Sequence, residues 1–167
     1  MSIVKLNNQA VKNATSFGSI SSLGSMTFIK KLTASSSATL SFVDGSDGVV
    51  LDDTYKEYLF TFNNIHPQTD NAKLEFNLST DGGSNYNVTK TTTHFFSYHS
   101  EDDNDTALGY STGSDLAQST ANKIITNGIG NANDESASGT MSLFSPSSSI
   151  FVKHFISRTN TYFSSNW

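Results

Sequence analysis

The chain contains no cysteine and only two prolines, and it has few charged residues. Without cysteine there can be no disulfide, no thiolate zinc site and no cysteine nucleophile. Charged residues make up 15% of the 167 residues, against roughly 25% in an average domain, so hydroxyl and amide side chains must provide solubility. The net charge is −5 and Arg158 is the only arginine, which argues against a nucleic-acid-binding protein because phosphate binding depends on clustered lysine and arginine.

The sequence also lacks long apolar stretches. No segment approaches the roughly 20 apolar residues of a membrane-spanning helix, so we predict no membrane insertion. Residues 1–8 contain no apolar core long enough for a signal peptide. We therefore expect the protein to be made in a cytoplasm and not to be exported by a cleaved signal.

Short alternating apolar segments occupy much of the remaining sequence. In residues 73–79, Leu74, Phe76 and Leu78 fall on one face and polar side chains on the other, which is the period of a strand with one buried face. Turns rich in glycine and aspartate at 44–48 and 81–84 separate such segments. The pattern predicts an all-β protein, a two-sheet antiparallel β-sandwich of a jelly-roll-like kind. The predicted strands are 26–32, 38–43, 49–51, 58–64, 73–79, 88–99, 140–144 and 150–156.

The length is that of one domain, and we predict a β-sandwich over residues 26–167 preceded by an extended N-terminal arm, residues 1–25. The chain stops on aromatic residues, so we expect either that this end pairs with a neighbour or that the natural protein continues beyond Trp167. The predicted core residues are Phe42, Phe60, Phe62, Leu74, Phe76, Leu78, Phe96, Phe144 and Phe155.

The segment 88–99 would be prone to unwanted strand pairing if it formed an exposed sheet edge. It is long and threonine-rich, and Lys90 is its only charged residue, so its unpaired backbone groups would invite another strand. We predict that the arm or another subunit covers it. The aromatic end at Tyr162, Phe163 and Trp167 points the same way, because exposed apolar clusters mark contact sites. The expected state is a homo-oligomer or a packed lattice.

Nothing in the sequence pairs a base with a nucleophile. There is no Gly-x-Ser-x-Gly motif, and the acidic residues cluster in turns, with Glu57 and Glu75 as the only strand candidates. Both of these look like residues of a solvent-facing side. The segment 128–130 lacks the third glycine and the strand-to-helix context of a phosphate-binding loop. We therefore predict that the protein is not an enzyme, with no catalytic and no cofactor-binding residue.

The sequence gives only a weak signal for a metal site. Distant ligands can meet on a β scaffold, but on a regular strand His94 and His99 would point to opposite faces. The acidic cluster in 101–105 could bind calcium, yet it lacks the spacing of an EF-hand, so a solvated loop is favoured. The turn at 44–48 and the pair Asp52-Asp53 have the same two interpretations, and the turn is again favoured. No metal ligand is predicted. The residues considered are His66, His94, His99, His154, Glu101, Asp102, Asp103 and Asp105.

Carbohydrate binding is the alternative function. Aromatic rings stack on sugars, and asparagine and threonine side chains hydrogen-bond sugar hydroxyls. Such a site would be a host-recognition module, and calcium bound through Asp102, Asp103 and Asp105 could assist it. The opposing interpretation is that most of the aromatic residues belong to the core or its rim. The candidate stacking residues are Tyr86, Tyr98, Tyr110, Tyr162 and Trp167.

Five short sequence segments occur together in a distinctive order. They are TASSSATLSF (33–42), FNNIHPQTD (62–70), DGGSNY (81–86), FSPSSS (144–149) and FVKHF (151–155). From about Leu32 to Ser157 the chain resembles a family of uncharacterised structural proteins of tailed bacteriophages of marine bacteria, including cyanophages.

The resemblance implies a virion protein with a β-sandwich and no enzymatic activity, and it supplies no functional residues. On this interpretation the protein is assembled in the host cytoplasm and lies on the exterior of the particle, as a capsid decoration protein or a tail-associated appendage. Its partners would be other virion proteins, copies of itself and, in the alternative, a host surface glycan. Members of the family typically run further, through a glycine-rich strand.

Overall fold

The computed structural model describes residues 26–162. The chain divides into two compact units, Met1–Lys31 and Leu32–Trp167, and every described strand lies in the second unit. The predicted arm, residues 1–25, and the aromatic residues Phe163 and Trp167 lie outside the described residues.

Antiparallel strands make up the regular structure, and the described residues contain no helix, which confirms the all-β prediction. Strands β1, β8 and β9 form a three-stranded sheet in the order β1-β8-β9, and the remaining strands form two-stranded pairs. The strands are β1 (Glu57–Ile65), β2 (Glu75–Phe76), β3 (Lys90–Thr92), β4 (Phe95–His99), β5 (Thr106–Tyr110), β6 (Leu116–Ser119), β7 (Lys123–Ile124), β8 (Ala137–Phe144) and β9 (His154–Thr161).

The strand pairs are nested. Strand β4 pairs with β5, β3 with β6, β2 with β7 and β1 with β8, as in one long hairpin folded over on itself. Nesting of this kind agrees with a rolled-up sandwich. A jelly roll also needs pairings that join these layers into two larger sheets, and no such pairing occurs among residues 26–162. The jelly-roll class therefore stays a prediction.

One face of the β1-β8-β9 sheet forms the core. Because residues opposite each other in an antiparallel pair share a face, Tyr58, Leu143 and Phe155 lie in one row across the three strands. The β2–β7 pair packs against this face. The rings of Phe76 and Phe155 meet edge to face at 4.8 Å, and the hydroxyl of Thr159 donates to the carbonyl oxygen of Ile125 at 3.0 Å.

The predicted core residues are in general half-buried rather than fully buried. The covering strands β2 and β7 are two residues long each, so large rings on the facing sheet reach beyond them. Apart from Tyr58, the fully buried apolar residues are non-aromatic. The buried apolar residues are Val49, Tyr58, Ile125, Ile129, Ala137, Met141 and Leu143.

Several strand predictions are wrong. Segments 26–32, 38–43 and 49–51 form no strand, because alternation makes a segment suitable for a sheet but only a hydrogen-bonding neighbour makes it a strand. Segment 73–79 shortens to β2, segment 88–99 divides into β3 and β4, and the last predicted strand begins only at His154. The prediction for 58–64 is confirmed as β1, and 140–144 lies within β8.

Strands β5, β6 and β7 were missed, in a region whose glycine, serine and asparagine content resembles a loop. Small residues are required in β5, since a β carbon at Gly109 would lie 2.9 Å from the ring of Phe96. The first two of these strands also correct the edge prediction. On one side the segment 88–99 is covered by β5 and β6, which come from neither the arm nor another subunit.

Both predicted turns are confirmed. In the first, Gly45 and Gly48 have φ of 75° and 77°, and the Asp44 carboxylate accepts the Leu51 amide at 2.8 Å. In the second, the Asp81 carboxylate accepts the Ser79 hydroxyl at 2.6 Å and the Asn85 amide at 2.8 Å. These bonds, that of Ser79 first, lower the pKa of Asp81 to about 2.

Candidate functional site

A cleft of about 550 Å³ lies between the ends of β4 and β9. Side chains alternate between the two faces of a strand, yet consecutive residues of each strand line the cleft. The cleft therefore runs along the edges of the two strands rather than over one face. Its lining residues are Ser97, Tyr98, His99, Glu101, Asn160, Thr161 and Tyr162.

The hydrogen-bond pattern fixes which backbone groups face the cleft from β4. The Ser111 amide donates to His94 and the Ser100 amide donates to Asp105, so the even-numbered residues of β4 bond β5. Because bonding alternates along an antiparallel strand, Ser97 and His99 direct their N–H and C=O groups away from β5. No described strand pairs with that edge.

The same reasoning applies to β9. The amide of Tyr162 donates to the Ser136 carbonyl oxygen at 3.3 Å, which places the even-numbered residues of β9 on the side of β8. Thr161 therefore directs its backbone groups to the other edge. No described strand pairs there either.

Two tyrosines hold carboxylates at the cleft. Tyr98 donates to Asp105 at 2.8 Å, and Tyr162 donates to Glu101 at 3.0 Å. Each bond, as the leading cause, raises the pKa of its tyrosine, because the carboxylate opposes loss of the phenol proton. Among residues 26–162, the lining of the cleft includes the carboxylate of Glu101 and neither lysine nor arginine.

The acidic loop between β4 and β5 is a self-contained turn. Asp102 accepts the Ser100 hydroxyl at 2.7 Å and the Asn104 side-chain amide at 2.9 Å, and these bonds lower its pKa. The carboxylate of Asp103 lies 3.2 Å from His99 Nε2. Within residues 26–162, no three histidine, aspartate or glutamate side chains converge as a metal site would require.

The β4–β5 hairpin has an apolar outer face. Phe95 is 70% exposed and Leu108 is 83% exposed, and Tyr110 packs edge to face on Phe95 at 5.2 Å. We call Phe95, Leu108 and Tyr110 the hairpin patch. The largest contiguous apolar patch on a protein surface is often functional, so the hairpin patch is a candidate contact surface.

The loop between β8 and β9 presents a second apolar group, Ile150, Phe151 and Val152, which are all highly exposed. The Ser148 hydroxyl accepts the Phe151 amide at 3.0 Å, and Lys153 donates to the carbonyl oxygen of Phe151 at 3.1 Å. The loop is therefore held in shape while its apolar side chains face outward. We call these three residues the loop patch.

Two lysines are buried, and neither has a carboxylate in hydrogen-bonding contact within the part of the chain that the structure describes. Lys123 is 3% exposed and donates to the Ser114 carbonyl oxygen at 2.6 Å, and its Nζ lies 3.4 Å from His94 Nδ1. Lys90 donates to the side-chain oxygen of Asn77 and to the carbonyl oxygen of Val88. Burial lowers the pKa of both lysines, and burial followed by the charge of Lys123 lowers that of His94.

The structure brings together only some of the residues singled out in the sequence. Tyr98 and Tyr162 share the cleft, whereas Tyr110 belongs to the hairpin patch. The four histidines have different surroundings, and the Nδ1 of His66 donates to the Glu135 carbonyl oxygen at 2.7 Å. Ser97 and Asn160 were missed. No local signal in the sequence identifies them, because their position follows from which strand edges stay unpaired.

Comparison with protein-family models, with curated proteins and with solved structures finds no match. In residues 26–162 there is no helix that is long and apolar enough to cross a membrane.

Proposed function

We propose that this chain is a structural protein of a bacteriophage particle. It lies on the particle exterior, as a capsid decoration protein or a tail-associated appendage, and it contacts copies of itself and other virion proteins. It has no catalytic role. The observation that supports this best is the pair of exposed apolar surfaces, the hairpin patch and the loop patch. The assignment to a bacteriophage particle rests on the resemblance to phage structural proteins.

The size of the patches favours many weak contacts over one strong contact. With side chains of roughly 200 Å² each, the hairpin patch exposes on the order of 400 Å². A stable pairwise interface buries about 800 Å² on each partner. One patch is therefore too small for a tight dimer. In a lattice, however, each subunit makes several contacts at once, and the effective concentration of neighbours increases the total affinity.

Mass spectrometry of purified particles tests the proposal. We expect the chain among the virion proteins, and its copy number separates a decoration protein, present in many symmetric copies, from a tail protein, present in few. Absence from the particles contradicts the proposal.

The self-contact is tested with the purified protein by sedimentation velocity. The double variant Phe95→Ser/Leu108→Ser should reduce the associated fraction several-fold, because it removes apolar area that association buries. Thr140→Ala, at an exposed position of β8, is the control and should leave association unchanged. Equal association of all three proteins contradicts a role for the hairpin patch.

Glycan binding is a second candidate, favoured by the meeting of Tyr98, Tyr162 and Asn160 in one cleft. An aromatic ring next to amide, carboxylate and hydroxyl groups suits a sugar. Tyr162→Ala should then abolish binding on a glycan array without unfolding the protein, and Tyr86→Ala, outside the cleft, should not. An array without binding, with and without calcium, counts against this candidate.

A further inference from the structure

The side chains of Asn77 and Lys90 are in contact in a part of the fold that the proposed function does not use. Lys90 Nζ donates to Asn77 Oδ1 at 2.5 Å, and Lys90 is only 6% exposed. Asn77 directly follows β2, and Lys90 is the first residue of β3. We propose that these two side chains react with each other in the folded chain and form an amide cross-link, with loss of ammonia.

The reaction requires no reagent beyond the two side chains. The uncharged amine of Lys90 attacks Cγ of Asn77. The bond between Nζ and Cγ forms, the bond between Cγ and Nδ2 breaks, and one proton of Nζ passes to Nδ2, which leaves as ammonia. Atoms and electrons balance without an oxidant or a cofactor.

The amine lies within reach of the carbon that it attacks. A carbonyl bond is about 1.2 Å long, so the contact of 2.5 Å with Oδ1 places Nζ no more than about 3.7 Å from Cγ. Reacting atoms held at about 3–3.5 Å are close to the geometry of attack, and the flexible lysine stem can cover the remaining distance. The two residues are 13 positions apart, on either side of the turn at 81–84, so folding creates this contact.

The surroundings of Lys90 favour the uncharged amine. Its second acceptor is the carbonyl oxygen of Val88 at 2.6 Å, and neither this oxygen nor Asn77 Oδ1 carries a charge. Burial lowers the pKa of Lys90 below its ordinary value. Desolvation of this kind activates lysine as a nucleophile. Because a buried charge without a counterion is unfavourable, conversion to a neutral amide also stabilises the folded state.

The amide of Asn77 is held at both ends. The Leu78 amide donates to Oδ1 at 2.9 Å, so it can stabilise the negative charge that develops there during attack. Nδ2 faces three acceptors, the carbonyl oxygens of Tyr86 at 2.7 Å and Thr120 at 3.0 Å and Oδ1 of Asn122 at 3.0 Å. An amide nitrogen carries only two protons. Ammonia carries three, so the site matches the leaving group better than the starting amide.

The cross-link would join two separate parts of the fold. Strand β2 pairs with β7 and strand β3 with β6, and β2 and β3 are only two and three residues long. Next to the proposed bond, the Val88 amide donates to the Leu78 carbonyl oxygen at 3.4 Å, which is a long hydrogen bond. A covalent bond at this place therefore holds together strand pairs that are short and weakly connected.

Mass spectrometry of the intact, folded, full-length protein tests the proposal. After incubation at pH 8, the wild-type mass should be lower than that of its sequence by one ammonia, and Lys90→Arg should have its full sequence mass. Lys73→Arg, at an exposed position before β2, is the control and should lose ammonia as the wild type does. Circular dichroism checks that each variant is folded.

Peptide mapping locates the bond. Trypsin should fail to cleave after Lys90, because the acylated side chain carries no charge. It should still cleave after Lys73 and after Lys123, since Lys123 is buried but donates to a backbone carbonyl oxygen. Further cleavage before Asp81 should leave two peptides that remain joined through Asn77 and Lys90.

A folded wild-type protein of full sequence mass overturns the proposal. Loss of ammonia that persists in Lys90→Arg also overturns it, and assigns the change to a succinimide at an asparagine. If Lys90→Arg does not fold, the wild-type peptides decide, and peptides that separate after cleavage before Asp81 overturn the proposal. None of these outcomes concerns association or the presence of the chain in particles, so the proposed function is tested separately.

Discussion

The carboxylate of Glu135 occupies the space that a β carbon on Gly130 would need. Glu135 is only 7% exposed, and its Oε2 accepts the Ala132 amide at 2.6 Å. Its own carbonyl oxygen accepts His66 Nδ1, so the turn that follows Ile129 is tied to the bend after β1. Glycine at position 130 is thus a packing requirement of a buried carboxylate.

Gly130→Ala should destabilise the protein by about 1–3 kcal/mol, because the carboxylate must leave its backbone partner while it remains buried. Urea unfolding measures the change. Gly113→Ala is the matched control, since a β carbon there meets nothing within 4 Å, and its effect should stay within about 0.5 kcal/mol. Equal effects of the two substitutions contradict the packing argument.

Leu143→Ala should cost about 2–5 kcal/mol of unfolding free energy. Leu143 is 3% exposed in the centre of β8, and truncation removes apolar contacts and leaves a cavity. Leu108→Ala makes the same chemical change at a position that is 83% exposed, so it should be nearly neutral in the same urea titration. A large loss for Leu108→Ala would mean that the hairpin patch is covered in solution.

Stability should fall as the pH decreases below about 6.5, and His94 should contribute to this fall. Burial and the adjacent Lys123 hold the pKa of His94 below its ordinary value, so in this range the unfolded chain binds more protons than the folded one. The loss begins near the unfolded pKa and ends below the folded pKa. His94→Gln should flatten the dependence, measured as urea midpoints between pH 7 and 4.

The control for that measurement is Thr140→Ala, at an exposed position of β8. It removes no ionisable group and should leave the pH dependence unchanged. Lys123→Met should raise the pKa of His94 in an NMR titration, because it removes the neighbouring positive charge. An unchanged His94 titration would show that burial alone sets its pKa.

Asp81 should contribute acid sensitivity in a lower range. Its folded pKa of about 2 lies below the ordinary value of 3.8, so its ionised form stabilises the fold above pH 4 and this contribution is lost as the pH falls toward 2. Asp81→Asn should therefore make unfolding midpoints less dependent on pH between 4 and 2. Thr80→Ala, at an exposed position beside the same turn, removes no ionisable group and should retain the wild-type dependence.

Local patterns were sufficient for β1, for β8 and for the turn at 81–84. In β1 the alternation of Tyr58, Phe60 and Phe62 with polar or more exposed residues survives in the structure as alternating burial. In the turn, Gly82 and Gly83 have the positive φ angles that the turn composition predicts. These features depend on neighbours within a few residues of one another.

Local patterns did not predict the strands correctly where the pairing partner of a strand is distant in the sequence. Residues 38–43 alternate as well as β1 does, but no neighbouring strand bonds them. Strand β5 was not predicted because Gly109 breaks its apolar alternation, and glycine is required there by the Phe96 ring of β4. The nested order pairs β1 with a strand that begins more than seventy residues later, and nothing within either segment specifies the other.

By itself, the sequence determined that this protein is all-β, rich in hydroxyl side chains and free of cysteine chemistry, because composition and period-two alternation are properties of each segment. Only the tertiary structure decided that Tyr98 and Tyr162 line one cleft, that Phe95 and Leu108 face outward together, and that the edges of β4 and β9 stay unpaired among the described strands. Those relationships join residues far apart in the chain, and the free energy that selects them comes from packing between layers.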